Sequence, residues 1–267
     1  MPQAYLVPLW TEQATTLPAF LGPFAFAALG ERLATSAPDI FARVQDDTEP
    51  VTVAVLYDGL WVGQPMTTVV PDRPLWLRVT MLDDTVARSI QQAIAPATLM
   101  TLAGWPFRIG QAVPPTNHPL ARQARYVDLA QRWLTPAWYP ARLRLRLFTP
   151  SWHEPDTEWP LVDPRSLLER LALRWNTFAP IVLEPAILAS LQHHVRLHAY
   201  GLQPRVVNWG DCQLHGAVGW IELSVRPYDP VLASVLHLLG DFAYYAGVGI
   251  NTTRGFGQAR PIGLGHE

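Results

Sequence analysis

The segment Gly247–Gly257 reads GVGINTTRGFG and joins main-chain freedom to a run of hydrogen-bond donors. Gly247, Gly249, Gly255 and Gly257 have no Cβ, so the backbone can turn with positive φ and come close to a ligand. Successive N–H groups in such a turn can face one anion. Asn251, Thr252 and Thr253 add neutral polar groups, and Arg254 adds a charge-assisted donor. That set suits a phosphate. The spacing G-x-G-x5-G-x-G is not the dinucleotide fingerprint, and it lies at the end of the chain instead of after a first strand. A hairpin-like connection needing only flexible residues would use the same glycines. The polar filling and the C-terminal setting favour the phosphate clamp.

A second charged element is Arg142-x-Arg144-x-Arg146. In a strand, period two sends the three arginines to one face and Leu143, Leu145 and Leu147 to the other. A basic stripe for a nucleic-acid backbone and a solvated face over a leucine core both fit this pattern. All 20 basic residues are arginine, against 22 acidic ones. Guanidinium groups grip phosphate in a bidentate manner and stack on bases. The lack of lysine excludes a Walker P-loop and a Schiff-base enzyme. The single cysteine, Cys212, excludes an internal disulfide and a multi-cysteine zinc site. The run QHHVRLH, with His193, His194 and His198, has no Cys or Glu at ligand spacing, so no metal or other cofactor is expected.

These groups need a framework. The chain has 267 residues, 49% of them apolar, enough for two small domains. No signal peptide or membrane-length apolar run is evident, so a cytoplasmic protein without a membrane partner is expected. Tyr5–Trp10 alternates as a strand, Leu17–Ser36 reads as a helix, and Pro50–Tyr57 and Pro74–Leu82 read as strands. Asp83 caps a helix over Thr85–Ile94, and Phe107–Val113 closes the set. This strand, helix, strand, strand, helix, strand order is ferredoxin-like. It recurs after a proline-rich stretch holding one helix at Ala124–Trp133. The second round is Ala141–Phe148, a helix from Asp163 to Phe178, short strands at Val195–Ala199 and Val206–Asn208, then Gly216–Arg226, a helix over Pro230–Ala246, and Gln258–Ile262. The fold class is α+β, with two tandem ferredoxin-like (RRM-like) domains. Residues 1–115 form the first, 116–140 a connector, and 141–267 the second with its glycine-rich loop.

The run FAYYAGVGINTTRGFGQARPI (Phe242–Ile262) resembles the C-terminal glycine-rich signature of the CRISPR-associated repeat-processing endoribonucleases. RLFTPSWH (Arg146–His153) and PLVDPRSLLERLALRWNTF (Pro160–Phe178) resemble that family's central block, in which a Thr-Pro turn precedes a helix carrying Arg174-Trp175-Asn176. LWLRVTMLDD (Leu75–Asp84) resembles the third strand of its first domain. The resemblance implies two ferredoxin-like domains, binding of CRISPR repeat RNA, and metal-independent cleavage. The 2′-hydroxyl would attack the adjacent phosphate, which needs a base, an acid and cations for the phosphorane. Many family members place a histidine before the second strand. Here the stretch Ile40–Val53 has Gln45 there, which cannot exchange a proton near neutral pH. Arg43 could stabilise the phosphorane. Candidate substitutes are His118, His153, His193, His194 and His198, with His118 preferred because it lies in the connector. Slow or absent cleavage is expected. The alternative is a guide-RNA-binding subunit without catalysis, whose partners would include other subunits of a CRISPR effector complex.

Overall fold

The computed structural model describes residues 1–46, 48–57, 66–95, 97–135, 137–151, 163–209 and 212–263. The chain divides into two units. The first comprises Met1–Gln123 with Asn251–Gly255, and the second comprises Ala124–Ile250 with Phe256–Glu267.

The first unit contains β1 (Gln3–Trp10), β2 (Thr15–Pro18), α1 (Gly22–Ser36), α2 (Pro38–Val44) and β3 (Val51–Tyr57). It continues with β4 (Met66–Val69), β5 (Leu75–Met81), α3 (Asp84–Ile94), β6 (Leu99–Leu102), β7 (Trp105–Ile109) and β8 (Arg122–Gln123). Its main sheet runs β3-β5-β1-β7-β6, with β8 also on β1 and every pairing antiparallel. The four strands anticipated from the sequence thus lie in the order second, third, first, fourth, which is ferredoxin-like. Alternation decides the faces. Leu75, Leu77, Val79 and Met81 enter the core with Leu29 and Leu33 of α1 and Ile90 of α3. On the other face Arg78 is fully buried, and its Nε donates to the Leu120 carbonyl at 3.2 Å. The Thr52 and Thr80 hydroxyls meet there at 2.6 Å.

Three local features differ from the sequence expectation. The helix anticipated at Leu17 starts at Gly22, because Thr15–Pro18 pairs with β4 and Pro23 fits only the first helical turn. Pro38 starts α2, a short helix that buries only Ile40 and Val44. The β6–β7 hairpin turns on Ala103 and Gly104, at φ 50° and 84°. Two positive φ values mark a primed hairpin turn, which normally announces itself as Asn-Gly or Asp-Gly.

The second unit contains α4 (Tyr126–Leu134), β9 (Arg142–Ser151), α5 (Pro164–Phe178), α6 (Pro185–His194) and β10 (Val195–Trp209). Then come β11 (Cys212–Val225), α7 (Pro230–Ala246) and β12 (Ala259–Ile262). The sheet order is β10-β11-β9-β12, again second, third, first, fourth. Leu143, Leu145 and Leu147 face the core with α7, in which nearly every residue is buried. Trp175 of α5 meets Phe242 of α7 edge-on, centroids 5.3 Å apart. The two short strands expected near residues 195–208 are one long strand that passes through Gly201 and Pro204. The helix α6 was not anticipated; its first turn is marked only by Pro185. Asp83, Asp163 and Asp229 each accept two N–H bonds at a helix start. Each cap is worth roughly 1 kcal/mol. No helix among the described residues is long and apolar enough to cross a membrane.

Candidate nucleic-acid interface

The glycine-rich segment takes the backbone conformation its sequence calls for. Gly247, Gly249, Asn251, Gly255 and Gly257 have φ of 71°, 82°, 56°, 96° and 65°. A Cβ on Gly257 would run into the carbonyl of Val248, so only glycine fits. Val248 N–H donates to the Gly257 carbonyl, and Gly257 N–H donates to the Pro150 carbonyl, both at 2.8 Å. Gln258 N–H donates to the Thr149 hydroxyl at 2.9 Å. The Thr-Pro pair at the end of β9 therefore anchors the far end of the loop. Among the described residues, the N–H groups of Gly249 and Ile250 have no hydrogen-bond partner. The Asn251 N–H likewise has none.

Residues Asn251–Gly255 lie in the first unit. Thr252–Arg254 make one turn of 3₁₀ helix. Thr252 and Thr253 are buried, and the Thr252 hydroxyl points to Glu49 at 3.4 Å. Gly255 sits against Gly22 of α1 and the Val53 carbonyl of β3. The Arg254 guanidinium lies 5.9 Å from the Phe26 ring centroid. Asn251 and Arg254 keep partly exposed side chains, unlike the two threonines.

The triplet Arg174-Trp175-Asn176 holds structure together. Arg174 is buried and donates from Nη1 to the Ala246 carbonyl, the last residue of α7 before the loop. A cation at a helix C-terminus is electrostatically favoured. Trp175 Nε1 donates to the Ile181 carbonyl at 2.7 Å. Asn176 bonds both the N–H and the carbonyl of Leu183, at 2.8 and 3.0 Å. An RNA contact by Arg174 itself is excluded by its burial.

The arginine strand has the expected alternation, with Arg142, Arg144 and Arg146 exposed and the leucines buried. The register adds what the sequence did not disclose. Glu222 of β11 stands opposite Arg144. Arg144 donates to it from Nε and Nη2 at 3.1 and 2.8 Å, and Arg142 approaches it at 3.6 Å. His198 lies 3.7 Å from the same carboxylate. Arg144 also rests over the Trp220 ring at 4.5 Å. Among the described residues, only Arg146 of the three keeps its charge unshared, and Arg260 of β12 stands directly opposite it. Strand alternation from Gly216 to Arg226 puts Trp220 and Glu222 on one face, but their partners follow only from pairing register.

The catalytic candidates do not converge. Gln45 is exposed at the C-cap of α2. Arg43 is paired with Asp83 at 3.4 Å. Burial opposes ionisation of that carboxyl, but the N–H groups of Val86 and Thr85 and the Arg43 charge outweigh it and hold its pKa below the usual range. Asp83 is thus ionised and fixes Arg43. His118 packs on Trp76, ring centroids 4.9 Å apart, at the start of β5, while Asp83 lies beyond the other end of that strand. Seven residues of strand span about 23 Å. The His118 Nδ1 accepts the Leu120 N–H at 3.1 Å, and partial burial lowers the pKa of the ring. Its remaining nitrogen therefore carries the proton in the neutral form. His194 bonds the Ser190 carbonyl within α6, and His193 stacks edge-on against it. His153 lies outside the described residues.

The family model for CRISPR-associated endoribonuclease Cas6 matches residues 140–259. No curated protein sequence matches the chain. A Cas6 product complex superposes with a TM-score of 0.80 at 23% identity, covering 98% of this chain and 100% of the other. Thermus thermophilus Cas6 gives 0.74 at 23% identity over 98% of each chain. A RAMP protein binding different RNA substrates gives 0.66 at 12% identity, over 98% of this chain and 99% of its own. These identities speak to fold. The resemblance read from the sequence is borne out: the chain has the tandem ferredoxin-like fold of Cas6 proteins, and its residues 140–259 carry the signature of the CRISPR-associated endoribonuclease Cas6 family.

Proposed function

We propose that the chain binds CRISPR repeat RNA and processes the precursor by 2′-hydroxyl attack on the adjacent phosphate, without metal or cofactor. The products would be a 2′,3′-cyclic phosphate and a 5′-hydroxyl. One observation carries the RNA-binding part: the family's glycine-rich segment is held open by positive-φ residues, with the Gly249 and Ile250 N–H groups unpartnered among the described residues. Asn251, Arg254 and Arg146 supply side-chain donors in this reading, and the glycines at 247, 249, 255 and 257 shape the backbone. Thr252 and Thr253 support the turn from within.

A second reading is favoured by the surroundings of Gln45. The cation beside it is paired with Asp83, and the histidine offered as substitute stands a strand length away. Under this reading the protein holds repeat or guide RNA and cuts it slowly or not at all. Single-turnover incubation with excess protein in a chelating buffer, followed by analysis of product ends, separates the two. Rapid cleavage to a 2′,3′-cyclic phosphate supports the enzyme. Tight binding with intact RNA supports the binding subunit. A protein that does neither refutes both.

A further inference from the structure

Cross-strand neighbours of like charge destabilise a sheet, so their presence calls for a cause. Arg146 of β9 and Arg260 of β12 are such a pair, directly opposite in the antiparallel register. Their Cβ atoms are therefore about 5 Å apart on the same face. The alternating burial fixes that face: Leu147 faces Ala259 and Leu145 faces Pro261 in the core, while both arginines point away from it. Among the described residues, neither guanidinium has a hydrogen-bond or ion-pair partner. The contrast with the adjacent rung is instructive. There Arg144 is fixed by both Nε and Nη2 on Glu222 and lies over Trp220. The same strand thus has one arginine with a carboxylate and one facing a second arginine.

We infer that Arg146 and Arg260 form a two-guanidinium grip for a single backbone phosphate of the bound RNA. The inference rests on the RNA-binding reading above and adds to it a residue, Arg260, and a stoichiometry, one phosphate for two cations. Two guanidinium forks about 5 Å apart can each give a pair of N–H donors to opposite edges of one phosphate. The anion removes the repulsion that the pair carries when empty. Arg142 and Arg144 contribute less, because Glu222 already answers their charge.

The test uses the full chain and a fluorescent hairpin RNA transcribed from the CRISPR repeat of the source genome. Affinity is measured from about 50 to 200 mM salt for wild type, Arg146→Gln, Arg260→Gln, the double variant and Arg142→Gln. Each single variant at 146 or 260 is expected to lower the slope of log affinity against log salt by about one, and the double variant by no more than about one. Arg142→Gln should lower it by clearly less. The thermal midpoints of the 146 and 260 variants should equal or exceed that of wild type, since repulsion is relieved. Unchanged affinity and slope in Arg260→Gln, with wild type binding normally, overturns the grip and leaves the RNA-binding reading intact. A fall of about two in the double variant overturns the shared phosphate. Failure of wild type to bind overturns both readings.

Discussion

Substituting Gly257 by alanine should disable the loop, and the size of the effect can be worked from the structure. Gly257 has φ +65°, and its Cβ position lies against the Val248 carbonyl. A left-handed conformation costs a non-glycine residue about 1 kcal/mol. Relieving the contact requires a displacement on the order of 1 Å, because a backbone oxygen cannot rotate out of the way. That displacement weakens two 2.8 Å bonds, Val248 N–H to Gly257 O and Gly257 N–H to Pro150 O. Each contributes about 1 kcal/mol net. The sum is about 3 kcal/mol, or a fall of about 6–12 °C in the thermal midpoint. Gly263 provides the control. It has φ +82° and, among the described residues, nothing within 4 Å of its Cβ position, so Gly263→Ala should cost about 1 kcal/mol. Denaturant unfolding and RNA titration of both variants are the assay. Gly257→Ala should lose both stability and RNA affinity, while Gly263→Ala loses little of either. Equal destabilisation by the two would refute the claim that space, and not only φ, demands glycine at 257.

Glu222→Gln should release Arg142 and Arg144, strengthening RNA binding and steepening its salt dependence by up to about two units; an unchanged slope would show the stripe to be inert surface. Gln45→His should raise the single-turnover cleavage rate at least tenfold, with a bell-shaped or sigmoid pH profile, if proton transfer is what the site lacks. His237 is fully buried, its Nε2 donates to the Pro140 carbonyl at 2.9 Å, and burial lowers its pKa despite that bond. The unfolded chain therefore binds the proton first, so this contribution is present above about pH 6.5 and is lost as pH falls toward the folded-state pKa. Urea midpoints of wild type and His237→Gln between pH 5 and 8 should converge at the acid end; parallel curves would remove His237 as the source. Asp241→Asn should cost about 2–4 kcal/mol, because the buried carboxylate accepts from Arg132 and Trp133 at 3.0 and 3.1 Å; a change under about 0.5 kcal/mol in urea unfolding would contradict this.

The ferredoxin-like order is legible because the four pairing strands and two main helices of each half carry local signals of their own. Asp83 and Asp163 announced helix starts through capping chemistry, and ARLRLRLF announced its faces through period two. What stayed hidden depends on pairing. Glu222 and Arg260 bear on Arg144 and Arg146 only through register between strands far apart in the chain. The Arg-Trp-Asn triplet is visible as a motif, but its work, bonding the C-terminal end of α7 and the Ile181–Leu183 segment, is tertiary. The hairpin at Ala103-Gly104 carries no such signal, because alanine is an unusual residue for its turn.

The membership of Asn251–Gly255 in the first unit bears on how the protein is made. The segment lies against Val53 of β3, the edge strand of the first sheet. A ribosome that has finished residue 123 has synthesised every strand of that sheet, yet the piece that lies against its edge strand is still untranslated. At ordinary synthesis rates it arrives roughly ten seconds later. During that interval the nascent edge is a template for unwanted pairing. A fragment ending near residue 123 would keep that edge uncovered.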